Sequence, residues 1–420
     1  MIRDEPPMTS MNAVPSSEIS TPEPELKLQV LHSFSDAESF AQVWNALVLH
    51  TGADVYQTFE WCSLWWKYYG KRRQLHLLLF FSAKELVGLI PTFVETVWLG
   101  FTFVRTAKVV GSDFSLQLCN LPVSPSALRP ALRCATEYLL NQKKCDVFLL
   151  GPLAGPSSQF DELLSVCSEP SPFVQSAKLL GRSCNTYFFL PPNYEEYIKV
   201  IGKQQRGNFN RSVTQLEKSH AVSVDEISTP EKLQSEFQTF CQLHDAQWQA
   251  EGKLGHFGSW PSARDFNRDL ISALGEQGMV RFYRILADDK VVSSQYSFVF
   301  GHTNYWRLPA RVHGSTWDRL SFGKMGLVKM IEASIKDGRR TIEAGRGHYA
   351  YKVQLGGCEV PSRRIQITRR GLGISIRLAL FKFLAALLDV TYYKLIYMRL
   401  APRYRIFRGP IWSIWIRSTW

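Results

Sequence analysis

The stretch EAGRGHYAYKVQLGG, residues 343–357, gathers a carboxylate, an imidazole, a phenol and an amine in Glu343, His348, Tyr351 and Lys352. It is too polar and glycine-rich for a core, yet it follows RRTIEAG (339–345), which reads as a buried strand. Where a strand leaves its sheet, Glu343 or His348 can take a proton from an amine or hydroxyl, and Tyr351 can return one to a leaving thiolate. These four are the candidate catalytic residues. A structural role also suits them, with Glu343 paired to Arg339 or Arg346 and Tyr351 in the core.

Three further clusters carry chemistry. SFGKMG (321–326) opens a helix, and Ser321, Gly323, Lys324 and Gly326 suit an anion site: free amides and glycines admit a pyrophosphate and Lys324 adds charge. The alternative is that Ser321 is an N-cap and the glycines allow helix packing. In QLHDAQWQAEG (242–252), His244 and Trp248 stand at i and i+4 on one helix face. Either they line an acceptor pocket, Trp248 stacking on a sugar ring, or they pack inside with His244 hydrogen-bonded. Arg307, in NYWRLPARV (304–312), is a third candidate substrate-binding residue. GKQQRGNFNRSVTQLEK (202–218) holds a Q-x-x-G at Gln204–Gly207, half of an acyl-CoA pyrophosphate loop, but Phe209 stands where that loop needs Gly or Ala. A solvated basic helix face is the reading there. G-x-S-x-G, H-E-x-x-H, the Walker loop and a G-x-G-x-x-G after a strand are all absent from the sequence.

The elements that must position these residues follow from hydrophobic periodicity. A strand and a helix are expected over 28–52, a helix over 58–70, a hairpin over 74–98 turning at Lys84–Glu85, a helix over 126–142 and a strand over 145–153. Helices at 194–218 and 230–250 lead to a second hairpin, 279–301, turning at Asp288–Asp289. The strand 304–312, a helix over 321–338 and the strand 339–345 complete the series. The order hairpin, helix, strand ending in Gly-x thus occurs twice, at 74–153 and 279–345. It reads as two similar α/β units with mixed, largely antiparallel sheets, or as an order that any α/β protein can show. The expected boundaries are a disordered leader at 1–26, units at 27–190 and 191–362, and a tail at 363–420.

Charge sets the tail apart. Of the chain's net +12, residues 363–420 hold +11, from twelve Lys or Arg against Asp389 alone. A near-neutral body with a basic tail argues for an acidic surface as the tail's partner, and against a nucleic-acid-binding fold over the whole chain. ISIRLALFKFLAALLDVTYYKLIYMRL (374–400) is apolar but interrupted by five charges, which argues against a spanning helix. Beyond Pro402, arginines alternate with Trp412, Trp415 and Trp420. The pattern over 371–420 suits the headgroup layer of an anionic membrane, or a helix packed on the body or in an oligomer interface. Eight cysteines without a C-x-x-C pair predict a reducing setting with no metal, a start without an apolar h-region predicts the cytoplasm, and the tail then predicts the inner face of the membrane.

TFEWCSLWWKYYG, QRGNFNRSVTQLEK, QLHDAQWQAEGKLGHF and IEAGRGHYAYKVQLGG, in that order, resemble the CelD-like acyltransferases of the GNAT superfamily, which are common in bacterial polysaccharide clusters. The resemblance spans roughly 30–360. It implies two GNAT-like domains side by side, as in Fem-type transferases, with acetyl-CoA or another acyl-CoA as donor. It also implies an amine or hydroxyl on a saccharide or lipid-linked saccharide as acceptor, with polysaccharide-biosynthesis proteins as partners. Gly347, Tyr351 and Lys352 match the family pattern, as do His244 and Trp248. Glu343 replaces the family's Asp, His348 replaces an acidic residue, and the Q/R-x-x-G-x-G/A loop is missing. Direct transfer without an acyl-enzyme is expected, since nothing near Cys358 marks it as activated. The alternatives are a Fem-type aminoacyl transferase using charged tRNA and a non-catalytic adaptor of a polysaccharide assembly complex.

Overall fold

Asp288 and Asp289 both take positive φ, 49° and 62°, a backbone that Asp tolerates better than most residues and that a tight hairpin requires. They join two strands at the place the sequence marks. The computed structural model describes residues 25–314, 317–400 and 410–419. The leader expected over 1–26 falls almost wholly outside the described residues, as do Pro402 and Trp420.

The first half runs β1 (Leu26–Leu31), α1 (Ala41–His50), α2 (Phe59–Tyr69), β2 (Gln74–Ser82), β3 (Glu85–Leu99), β4 (Thr102–Val109), α3 (Leu128–Thr136), β5 (Val147–Ala154), α4 (Ser157–Cys167) and β6 (Val174–Phe189). After α5 (Tyr194–Val200) and α6 (Lys203–Ser219), the second half repeats the order. It runs β7 (Val222–Ile227), α7 (Pro230–Ala250), α8 (Gly255–Ser259), α9 (Ala263–Gly275), β8 (Val280–Ala287), β9 (Lys290–Phe300), β10 (Thr303–Arg311), α10 (Phe322–Lys336), β11 (Thr341–Arg346), α11 (Ala350–Gln354) and β12 (Cys358–Arg369). Each half is thus a strand, two helices (three in the second half), a three-strand meander, a helix, a strand and a last strand after a further helix.

The two sheets are one. Twelve strands run in the order β1-β2-β3-β4-β5-β12-β6-β11-β10-β9-β8-β7. β6 pairs with β11 of the second half, β12 pairs with β5 of the first, and β6 and β12 pair with each other along their length. The exchange hides two edges that separate sheets would leave open. Among the described residues only β4–β5 and β10–β11 are parallel pairs. One core spans both halves, joining Trp61 and Trp65 of α2 to Phe240 of α7 and to Tyr296 and Phe298 of β9.

The tail folds onto the body. α12 (Leu372–Leu388) buries Leu378, Phe381 and Ala385 against Val97, Val104 and Val147. A π-helical run, Asp389–Leu400, and a last helix, Pro410–Ser418, follow. Trp412 is buried, with ring centroids 5.7 Å from Phe114 and 5.3 Å from Trp260. Trp415 stacks on Tyr393 at 3.9 Å and donates to Asp389 Oδ1 at 3.0 Å. Of the tryptophans expected at a headgroup layer, Trp412 therefore faces inward and Trp415 is half-buried against Tyr393. Among the described residues no helix is long and apolar enough to cross a membrane.

Candidate active site

β10 and β11 stay paired for three residues only, Thr303–Tyr305 against Thr341–Glu343, and then diverge. Past the fork, Trp306 and Leu308 pair with consecutive residues of β9, so Arg307 is bulged out of the ladder. On the other arm, Gly345 and Gly347, at φ +77° and +110°, turn the chain out of the sheet. A cleft of about 1000 Å³ opens there, walled on one side by the first-half loop Ser115–Leu118. The matching fork of β4 and β5 is filled. Cys119 N donates to Pro152 O at 2.8 Å across it, and Val110, Phe114 and Leu118 are buried beside it. Most of the residues that line the open cleft belong to the second half.

Glu343 stands at the vertex, buried yet lining the cleft. Its carboxylate accepts from Tyr56 Oη at 2.9 Å, Asn185 Nδ2 at 2.8 Å and the Gly345 amide at 2.8 Å. It is not paired with Arg339, which instead donates to Gly301 O, nor with Arg346. Lys352, on α11, is buried between the rings of Trp306 and Tyr349, 5.2 and 4.6 Å from their centroids, and donates to Ala344 O. Burial pulls its amine down to about 8, with Glu343 opposing. Tyr351 is half-buried at the wall, and burial pushes its phenol up to about 12, so it carries its proton at neutral pH.

One more carboxylate backs the vertex. Asp54, buried just before the turn Val55–Gln57, accepts from Asn120 Nδ2 at 2.7 Å. Burial, and then the charge of Glu343, push it up to about 7. Nothing local in sequence marks Asp54, Tyr56 or Asn185; each meets Glu343 only because the halves fold together.

Arg307, Trp248, Ser321, Gly323 and Lys324 also line the cleft. Arg307 Nη2 donates to Ser115 Oγ at 2.5 Å, tying the bulge to the first half. Ser321 makes no side-chain cap and sits at φ +54°. Gly323 faces open space, a Cβ there meeting nothing closer than Arg311 Cδ at 3.9 Å. The start of α10 therefore has room, free amides and Lys324, which fits the diphosphate of an acyl-CoA.

Three sequence candidates lie elsewhere. His348 is exposed outside the cleft, its Nδ1 2.5 Å from Glu359 Oε1. His244 is buried beneath Trp248 and packs on Phe240 and Phe257 with centroids at 6.0 and 5.1 Å; burial pulls it down to about 4 and keeps it neutral. Gly326 is a packing residue, since a Cβ there would come within 2.3 Å of Gln295 Nε2 and 2.5 Å of Ser293 Oγ. In place of His244, His256 reaches the wall; burial and the charge of Arg307 hold it well below its usual range, and its Nε2 has no partner. Cys358 is exposed at the start of β12, away from these groups. No group of metal-binding side chains occurs among the described residues.

The sequence profile of the acetyltransferase (GNAT) domain matches residues 203–353, which supply most of the lining of this cleft. The fold is similar to the crystal structure of FemX, with a TM-score of 0.56 at 10% identity over 80% of this chain and 96% of that one. L-PGS from Bacillus licheniformis gives 0.48 at 8% identity, over 85% and 98%. A tandem GNAT protein from the clavulanic acid biosynthesis pathway gives 0.39 at 10% identity, over 83% and 99%. No curated protein sequence matches. Residues 203–353 are thus similar to an acetyltransferase (GNAT) domain, within a fold similar as a whole to that of FemX.

Proposed function

We propose that the protein transfers an acyl group, acetyl in the simplest case, from acyl-CoA to an amine or hydroxyl of a saccharide or lipid-linked saccharide in bacterial polysaccharide assembly. The observation that carries this reading is the open β10–β11 fork, with a carboxylate at its vertex and a roomy helix start at one end. Trp248, Trp260 and Trp306 supply flat apolar walls of the kind that stack on sugar rings.

The chain's part in the reaction is positioning and proton traffic. The bulge at Arg307 presents backbone outside the ladder where a thioester carbonyl can be polarised. Glu343 accepts the proton of the attacking amine or hydroxyl as the new C–N or C–O bond forms. Tyr351 gives a proton to the departing thiolate as the C–S bond breaks. Lys352 holds the turn at Ala344 and steadies charge at the vertex.

The acceptor's setting is an anionic membrane surface. In support, α12 turns Leu372, Ile376, Phe383 and Leu387 to solvent, beside exposed Trp98 and Phe101 of the β3–β4 turn. That turn approaches α12 closely enough that a Cβ on Gly100 would lie 3.7 Å from Leu384.

Calorimetric titration with acetyl-CoA of the wild type and of Gly323→Phe tests the donor. Saturable binding that weakens at least tenfold in the variant is expected. A folded wild type that binds none would overturn the reading, in favour of the adaptor or of an RNA-carried aminoacyl donor.

A further inference from the structure

Past the fork, the cleft carries positive charge that no carboxylate answers. Arg307 on the bulge and Arg346 at the end of β11 both line it, and among the described residues neither forms an ion pair. Arg307 donates to Ser115 Oγ and lies 5.8 Å from the Trp61 ring centroid, and its Nε has no hydrogen-bond partner. Behind them Arg364 donates to Ser112 O at 2.9 Å; burial, then the charge of Arg346, pull its guanidinium down to about 10. The carboxylates near by are committed. Asp113 is bound by Arg73 at 2.8 Å, and Glu343 accepts from three neutral donors.

The cleft that these arginines line also holds polar atoms with nothing to bond. Gln117, 2% exposed, lines the cleft with neither amide atom partnered, and Ser362, 1% exposed, lines it with a free Oγ. Both are buried by nine-tenths or more, where an unmade hydrogen bond is costly. The loop that carries Gln117 is the one that Arg307 and Arg364 grip, at Ser115 and Ser112. Guanidinium forks with a convergent amide and hydroxyl form the donor set that recognises a phosphoryl group. The set is separate from the start of α10. Arg311, beside that helix, lies four residues further along β10 than Arg307, about 13 Å at the rise of a strand, and is paired with Asp318 at 2.8 Å.

We propose that Arg307, Arg346, Gln117 and Ser362 form a second anion subsite that takes a phosphoryl group of the acceptor, a sugar phosphate or diphosphate carried on a nucleoside or on a lipid. Only the word acceptor rests on the acyltransfer reading. The subsite is probed with inorganic pyrophosphate, titrated into the full chain with and without saturating acetyl-CoA, on wild type, Arg346→Gln, Gln117→Leu and Gly323→Phe. Pyrophosphate is expected to bind in the presence of acetyl-CoA, at least tenfold more weakly in Arg346→Gln and Gln117→Leu, and unchanged in Gly323→Phe. Gln117→Leu is expected to keep or raise Tm, since it removes an unpaired buried amide. Complete displacement of pyrophosphate by acetyl-CoA, or wild-type affinity in both Arg346→Gln and Gln117→Leu, overturns the subsite. If acetyl-CoA does not bind at all, loss of pyrophosphate in Arg346→Gln with retention in Gly323→Phe still supports it, while the donor reading falls. Competition by a nucleoside diphosphate sugar against a short polyprenyl diphosphate tells which carrier the site takes.

Discussion

Asp54 and Glu343 come from opposite halves and meet in one dry patch, with Tyr56 donating to Glu343 and Asn120 to Asp54. Burial, and then the charge of Glu343, raise the Asp54 carboxyl to about 7 from the ordinary 3.8. The folded chain therefore binds this proton more tightly than the unfolded chain. Its contribution to stability is full below about pH 4 and declines as pH rises toward about 7. Asp54→Asn cannot ionise and escapes the decline. Its Tm relative to wild type is expected to rise between pH 5 and pH 8 in thermal melts; a difference that stays constant over that range would show that Asp54 is not held protonated. At this scale the sequence flagged Glu343, Tyr351 and Lys352 because they share one polar stretch. It gave no hint of Asp54, Asn185 or Gln117, whose surroundings are ordinary and whose partners are far away in the chain.

Elements were the most legible level, because hairpin turns and helix periods are local properties. The two hairpins, α7, α10 and β11 lie where alternation and turn residues place them, whereas α11 and the long β6 carry no comparable signal. α12 shows the limit of periodicity. Its apolar residues run nearly all round, so the pattern marks a helix without choosing a face. Packing chose Leu378, Phe381 and Ala385 for burial and left Leu372 and Phe383 at 80% and 66% exposure. Such a stripe on a basic segment is suited to anionic lipid. Leu372→Ser, Ile376→Ser and Phe383→Ser combined are expected to cut co-sedimentation with phosphatidylglycerol vesicles at least tenfold with little change in Tm. Vesicle binding equal to wild type would point instead to a protein partner for this face.

Across the whole molecule, the tail closes a structure that the two halves begin. Arg417 of the last helix reaches Glu95 at 2.7 Å, and Glu95 also binds Arg73 at 3.2 Å and Lys108 at 2.9 Å. Burial raises the Glu95 carboxyl, but Lys108 and Arg73 outweigh it and hold the group below the usual range. The same helix covers Phe114 and Trp260 with Trp412, and Tyr393 before it lines the cleft. Deleting 410–420 removes one of three cations from a buried carboxylate and uncovers two aromatic rings. It is expected to lower Tm by roughly 5 °C or more; a melt identical to wild type would mean the helix is not part of the folded unit.

By itself the sequence determined the α/β character, the repeated order of elements and the separation of a basic tail, because composition, periodicity and turn chemistry are written in neighbouring residues. Only the tertiary structure decided which fork stays open, how β6 and β12 change places, and which side chains meet at the vertex. Those outcomes depend on packing between residues hundreds of positions apart. His348 and Tyr351, three residues from each other, face different surfaces: one meets Glu359, the other lines the cleft.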